Sequence, residues 1–483
     1  MGDVVTETAV LEGRRVVVTL DGEGLLQWRG DREGEVVVRS DLIGFRSVGS
    51  SVHLYTFKMV ESMAMCGKGS LGRRRKDIVM EFDNEAAIKL FCDAIHKILE
   101  ESGRPKRLLV IVNPFGGDKA GRRVYTSSVE PLLQAAGIAI TMQETKYQRH
   151  GKDLAKSFDV SQFDGIVCVS GDGVLVEVLN GLLERPDWKA AIKMPIGIIP
   201  AGTSNGMAKS LLDHVGEPCD AASATFLVIR GQKQPLDVAT AKQANVKFHS
   251  ILMMAWGLVA DVDFESEKFR WMGALRLDVY TLIRICSLRK YVGHIYYIPA
   301  PGYEGTGTPF TEDLEETALL KSHEGDSDRS LKKNGYHGAL HELTKSGQWR
   351  HMEGPFINVW LNNVPFVGET VKSAPHAKFS DGCLDLIIMK DCPRWTLLNL
   401  LLKLQTGGHI KSKYVEYLKV KAFRLDPAGR YGSDIQGGYI DLDGEILARG
   451  RGTVGDGSSD IMTYGPPVDV TVDRGLATIF CPA

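Results

Sequence analysis

Val167-Cys168-Val169-Ser170-Gly171-Asp172-Gly173 reads as a buried strand that runs into a glycine turn carrying one carboxylate. Glycines at 171 and 173 let the backbone approach a ligand closely and take φ > 0. Backbone N–H groups in such a turn form a nest for phosphate oxygens. A second piece repeats the device: a strand from Met194 to Ile199 enters Pro200-Ala201-Gly202-Thr203-Ser204-Asn205. Two phosphate-cradling loops around one carboxylate point to phosphoryl transfer from a nucleotide. Asp172 is the expected general base, because an alcohol is a poor nucleophile until a positioned carboxylate accepts its proton. The loops carry no Gly-Lys-Ser/Thr, so they are not Walker A P-loops.

Working outward, Arg107–Val112 is an apolar strand ending at Asn113-Pro114, and strand and helix patterns alternate from there to about residue 230. Such alternation predicts parallel βαβ units, with ligands at the carboxyl ends of the strands. From about residue 234 the pattern turns strand-rich, interrupted by helix candidates near Met272–Leu288 and Trp395–Gln405. Upstream, residues 8–83 alternate strand-like stretches with turns. Asp83–Glu101 then reads as one amphipathic helix, with Ala87, Leu90, Phe91, Ala94, Ile95 and Ile98 on one face. Strands closed by one helix suggest a pleckstrin-homology-like topology. The expected division is an N-terminal β-rich module over 1–103, an α/β domain over 104–232 and a β-rich domain over 233–483. Residues 301–351, polar and glycine-rich, are expected to be a mobile insertion. Arg73-Arg74-Arg75-Lys76, with Lys68 nearby, is placed in a loop where it could meet an anionic membrane surface.

The chain has 483 residues, 43% of them hydrophobic, so it can bury more than one core. Its 58 basic and 60 acidic side chains leave a formal charge of −2, which gives no global footprint for nucleic acid. The eight cysteines form no CxxC pair, and no His/Cys cluster suggests zinc, so reduced thiols are expected. The N-terminus has no apolar signal region. It fits the loose Met-Gly-x-x-x-Thr pattern for myristoylation, with an unfavourable Asp3. No apolar run approaches the roughly 18–20 residues that span a bilayer. A cytoplasmic, peripherally membrane-associated protein is expected; a homodimer stays open.

The ordered set Asn113-Pro114-Phe115-Gly116-Gly117, Ser170 to Gly173, Pro200 to Asn205 and Ala255-Trp256-Gly257 resembles the diacylglycerol-kinase catalytic domain of lipid kinases. Ala260-Asp261-Val262-Asp263-Phe264-Glu265-Ser266-Glu267-Lys268 narrows the likeness to sphingosine kinases, also called long-chain-base kinases. The resemblance implies ATP and Mg²⁺, a sphingoid-base substrate, and a parallel-sheet nucleotide-binding domain followed by an antiparallel β-sandwich lipid-binding domain. It implies nucleotide contacts at Asn113, Gly116, Gly117, Thr145, Ser170, Gly171, Gly173, Glu177, Gly202, Thr203, Arg270, Arg276, Asp443, Gly444 and Glu445. The arginines suit that place because guanidinium groups neutralise transferring phosphates. On the residues alone, alternating Asp441, Asp443 and Glu445 reads equally as one face of a solvated strand, or as help in placing Mg²⁺. Metal ligands are left unassigned.

Substrate choice falls on Asp263 by the same resemblance, a carboxylate for the ammonium of a long-chain base, with Asp261 as its rival. Leu258, Val259, Leu277, Leu400, Leu401 and Leu404 are expected to make an apolar sleeve for the tail, or else ordinary core. Three other readings stand beside the sphingoid-base kinase: a diacylglycerol or ceramide kinase, an NAD kinase with its Gly-Asp-Gly turn, and a lipid-sensing pseudokinase.

Overall fold

The computed structural model describes residues 4–31, 33–62, 70–117, 119–273, 275–310, 348–433, 435–455 and 460–483. Gly2, Lys68, Asp118 and most of the 301–351 insertion lie outside the described residues.

Every residue of strand Gly165–Ser170 is buried, as a central parallel strand covered on both faces requires. It pairs in parallel with Arg107–Val112 on one side and Ile196–Pro200 on the other, and Ala139–Glu144 extends the sheet beyond Arg107–Val112. Both glycine turns therefore emerge at the same edge of this sheet, as the alternation predicts. Strand Val468–Phe480 joins it at Ile479, in parallel register with Ile196. The same strand pairs antiparallel with Lys233–Gln243 and Val415–Arg430. Among the described residues one sheet of 16 strands results, and this late strand crosses the expected division after residue 232.

In the strand-rich half, alternation along Met253–Gly257, Phe356–Asn362 and Tyr439–Leu442 sends side chains to two apolar layers. Met254, Trp256, Val359, Leu361, Ile440 and Leu442 pack into the sandwich interior. Ala255, Trp360 and Tyr439 point the other way, into a layer completed by Leu258, Val262, Leu397, Leu400 and Leu404. Helices Leu258–Glu265, Leu275–Cys286 and Arg394–Leu402 carry that second layer. At the neck of the insertion, Thr308–Pro309 pairs with Arg350–Glu353.

The N-terminal unit is a seven-stranded antiparallel sheet in which the last strand, Ser70–Phe82, pairs back onto the first, Val5–Leu11. Helix Glu85–Glu101 closes it, its first turn capped by the Asn84 side chain, which accepts from the Ala87 N–H at 2.8 Å. Ile88, not Leu90, completes the buried stripe; Leu90 is 50% exposed.

The basic cluster differs from expectation. It lies within strand Ser70–Phe82 rather than in a loop. Arg73 turns inward and makes a two-pronged ion pair with Glu217 of the α/β unit, at 2.7 and 2.5 Å, with Arg230 3.5 Å from the same carboxylate. Its guanidinium also stacks on Phe226, 4.7 Å from the ring centroid. Arg75 is held by Asp77. Only Arg74 and Lys76 of the four face outward without those ties, which leaves half of the expected anionic-surface patch.

Candidate active site

Three glycine loops meet backbone to backbone. A Cβ on Gly202 would lie 2.7 Å from the Gly171 nitrogen, and one on Gly117 would lie 3.1 Å from the Gly202 carbonyl carbon. Gly202 is thus required by close approach, whereas a Cβ on Gly171 would be tight, 3.1 Å from the Ser204 carbonyl oxygen and 3.2 Å from the Gly202 Cα, and the φ of −80° at Gly171 is ordinary. Gly173 has open space where a side chain would be, and it too lacks positive φ. The expected nest at 171–173 is corrected accordingly. Gly171 is the N-cap of helix Asp172–Leu183, so what the turn offers to an anion is a helix N-terminus rather than a left-handed turn. Gly202→Ala would force the loops apart by an ångström or more. Its expected effect is a loss of about 10²-fold in kcat/KM for ATP, read by steady-state kinetics, with the unfolding midpoint changed little.

Asp172 sits at this junction, 7% exposed. One carboxylate oxygen accepts from the Gly206 N–H at 2.7 Å and the other from the Met207 N–H at 3.1 Å. These are first-turn amides of helix Gly206–His214, so Asp172 stands between two helix N-termini. Each oxygen keeps a second lone pair for a reacting hydroxyl. Burial pushes the carboxyl up to about 7, the two amides pull against it, and the charges of Asp443 and Glu369 push it further. The Pro200–Asn205 loop is fixed by Asn205, which accepts from the Gly202 N–H at 3.1 Å and donates to Glu369 at 2.8 Å.

Several expected nucleotide residues hold the walls of this junction. Asn113 accepts from the Phe115 N–H at 3.0 Å and from the Thr145 hydroxyl at 3.3 Å. Glu177 accepts from the Arg149 and Gly151 N–H groups, both at 3.0 Å, and so caps helix His150–Ser157. Ser170 is buried under the turn. Arg276 pairs with Glu267, and the side chain of Arg270 lies outside the described residues.

Asp443 and Gly444, with φ of 55° and 82°, make the tight turn between strands Tyr439–Leu442 and Glu445–Arg449. The Asp443 side chain accepts from the Ser250 hydroxyl and from the N–H groups of Ile251, Leu252 and Met253 at 2.7 to 3.1 Å. Those four bonds outweigh little of the cost of its burial, which raises the carboxyl to about 6. Asp441 is fully buried as well, so the reading of a solvated acidic strand face is corrected. Glu369 and Arg149 escaped the sequence reading; Asp441 was noticed there, but its burial was missed although Tyr439 and Asp441 alternate with Ile440 and Leu442 and leave no polar face.

The two acids of the expected headgroup site separate. Both lie on helix Leu258–Glu265. Asp261 is fully buried, 2.5 Å from the Tyr291 hydroxyl, with Arg289 at 3.4 Å and Arg284 at 3.6 Å. Asp263 is half-buried, and burial holds its carboxyl at about 6 against the nearby Arg276. Leu258, Val259, Leu277, Leu400, Leu401 and Leu404 do come together, all in the apolar layer beneath these helices.

Residues 107–241 match the diacylglycerol kinase catalytic domain, and residues 331–454 match the YegS C-terminal NAD kinase beta sandwich-like domain. A diacylglycerol kinase structure from Bacillus anthracis (strain Sterne) superposes with a TM-score of 0.50 at 19% identity, over 78% of this chain and 97% of that one, which shows the fold. Sphingosine kinase 1 of Homo sapiens is 32% identical over 71% of this chain and 87% of its own length. Sphingosine kinase 1 of Arabidopsis thaliana is 47% identical over 99% of this chain and 96% of its own. At that identity over nearly the whole length of both chains, the chain belongs to the sphingosine kinase family.

Proposed function

We propose that the protein moves the γ-phosphoryl group of ATP to the primary hydroxyl of a sphingoid long-chain base. The observation that carries this reading is Asp172, held between two helix N-termini where three glycine loops meet. In that place the loops and helix termini bind and orient phosphate oxygens, and Asp172 accepts the hydroxyl proton as the new bond forms. Asp263 recognises the ammonium group, and the apolar layer around Leu258, Leu400 and Leu404 takes the hydrocarbon tail. Asp261, tied to two arginines and a tyrosine, positions the helix that presents Asp263.

Among the described residues no three His, Cys, Asp or Glu side chains converge as a metal cage. Mg²⁺ binds through substrate phosphates and water with one or two carboxylates, and Glu445, next to the Asp443–Gly444 turn, is our candidate for one of them. Mg²⁺ there would neutralise charge on the phosphates. The N-terminal sheet and helix are consistent with a pleckstrin-homology-like topology, and outward Arg74 and Lys76 are its basic contribution to an anionic membrane surface. No helix among the described residues is long and apolar enough to cross a membrane.

The test is transfer of radiolabelled phosphate from ATP to micelles of sphingosine, ceramide and diacylglycerol in parallel. Label on sphingosine alone supports the reading; label on diacylglycerol alone would discard the role of Asp263. The pH profile is a second check. Because the carboxyl of Asp172 is raised to about 7, it is protonated and unable to accept a proton below that pH. The rate at saturating substrates is expected to fall about tenfold per pH unit below 7 and to level off above it. A profile flat down to pH 5 would remove Asp172 from the proton transfer.

A further inference from the structure

Strand Tyr439–Leu442 places one more carboxylate under the acidic helix. Asp441 pairs in register with Ala255, and Ala255 pairs on its other side with Trp360. The three side chains form a row on the face that helix Leu258–Glu265 covers. Ala255, the smallest of them, lies between the Asp441 carboxylate and the Trp360 indole, and all three are buried. The rings of Phe264 and Tyr439, 5.4 Å apart, pin the Asp263 end of the helix over this strand.

Asp441 is fully buried, and its Oδ1 accepts from the Gly444 N–H at 2.9 Å. Its Oδ2 is buried with no hydrogen-bond partner among the described residues, and the buried Trp360 Nε1–H is likewise unpartnered. An orphaned buried carboxylate oxygen carries a large desolvation cost. A bound cation with hydrogen-bond donors would remove that cost.

We propose that Asp441 is a second substrate-recognition residue, which together with Asp263 seats the ammonium headgroup of the sphingoid base. This rests on the kinase reading above. Titration agrees with the geometry: burial, and after it the Asp263 carboxylate, push Asp441 well above the usual range. Asp441 feels the Asp263 charge, Arg276 is the cation beside Asp263, and a further positive charge near Asp441 would be favourable. The surroundings favour an amphiphile over a metal ion. The pair borders the apolar layer of Leu258, Tyr439 and Leu400, whereas Mg²⁺ retains a water shell. A cation with a hydrocarbon tail satisfies both the carboxylates and that layer.

The experiment compares wild type with Asp441→Asn, which keeps the shape of the side chain and the acceptor for Gly444. ATP-dependent phosphorylation is measured on micelles of sphingosine and of N-acetylsphingosine, whose head is uncharged. The KM for sphingosine is expected to rise about tenfold or more, and the preference over N-acetylsphingosine to shrink by a similar factor. The KM for ATP should stay within about twofold of wild type. An unchanged sphingosine KM overturns the proposal. So does a rise in the ATP KM alone, which would place Asp441 on the nucleotide and its metal. If the Asn variant folds poorly, Asp441→Ser must show the same split between the two KM values. Wild type inactive on sphingosine would sink the kinase reading itself, an outcome distinct from either.

Discussion

Asp172→Asn is expected to lower kcat for sphingosine phosphorylation by about 10²–10⁴-fold while leaving KM for both substrates close to wild type. The amide has the size of the carboxylate but cannot take up the hydroxyl proton. Its oxygen can still accept from one of the two amides, at Gly206 or Met207. Its NH₂ must then face the other N–H, a donor against a donor, at a local cost of about 1–3 kcal/mol. Some of the loss therefore reaches kcat through the 202–207 segment, and the unfolding midpoint has to be read beside the kinetics. A fall in kcat smaller than tenfold, in protein that melts like wild type, would mean that phosphoryl transfer proceeds here without a carboxylate base. Phosphoryl transfer needs little covalent help, so positioning by the glycine loops would then account for most of the catalysis.

Glu217→Gln is expected to destabilise the protein by about 3–5 kcal/mol, the scale for removing one partner from a buried ion pair. Arg73 and Glu217 have side chains 6% and 5% exposed, and Arg230 shares the carboxylate. After the substitution two guanidinium groups would face each other near Phe57 and Phe226 with no anion between them. Arg104, a third cation whose charge already opposes that of Arg230, would add to the repulsion. The N-terminal sheet should loosen from the α/β unit before either melts. Thermal denaturation should show an earlier transition, and limited proteolysis should cut near residues 102–106. A melting curve superimposable on wild type would mean that apolar contacts alone dock this unit.

The parallel sheet was readable because Val167–Ser170 is apolar on both faces and ends at a glycine, a pattern that solvent exposure would have interrupted. The same logic exposed the helix Glu85–Glu101 and the leucines of the second apolar layer. What the sequence withheld depends on pairing between distant residues. Gly171 looked like a left-handed turn, and only its approach to Gly202 shows where the steric demand lies. Arg73 sits among glycines and serines that suggest a loop, yet its partner lies far along the chain at Glu217. Asp441 and Asp443 looked solvated because acids usually are. Their burial follows from a strand covered on one face by the sandwich and on the other by a helix. Asp261 and Asp263 are two residues apart on one helix, and spacing alone could not say which would be consumed by arginines.

Strand Val468–Phe480 has a bearing on how the protein is made. Its register partner Ile196 is translated long before Ile479. During that interval strand Ile196–Pro200 has an open edge, beside the fully buried strand Gly165–Ser170. Contacts of such sequence separation form slowly, and an uncovered parallel edge is a template for mispairing with another nascent chain. The α/β half therefore gains this last sheet neighbour only after the C-terminal strand has been made. A ribosome carrying the first two-thirds of this protein holds an aggregation-prone intermediate rather than an early working kinase, and chaperone supply during synthesis would set the yield.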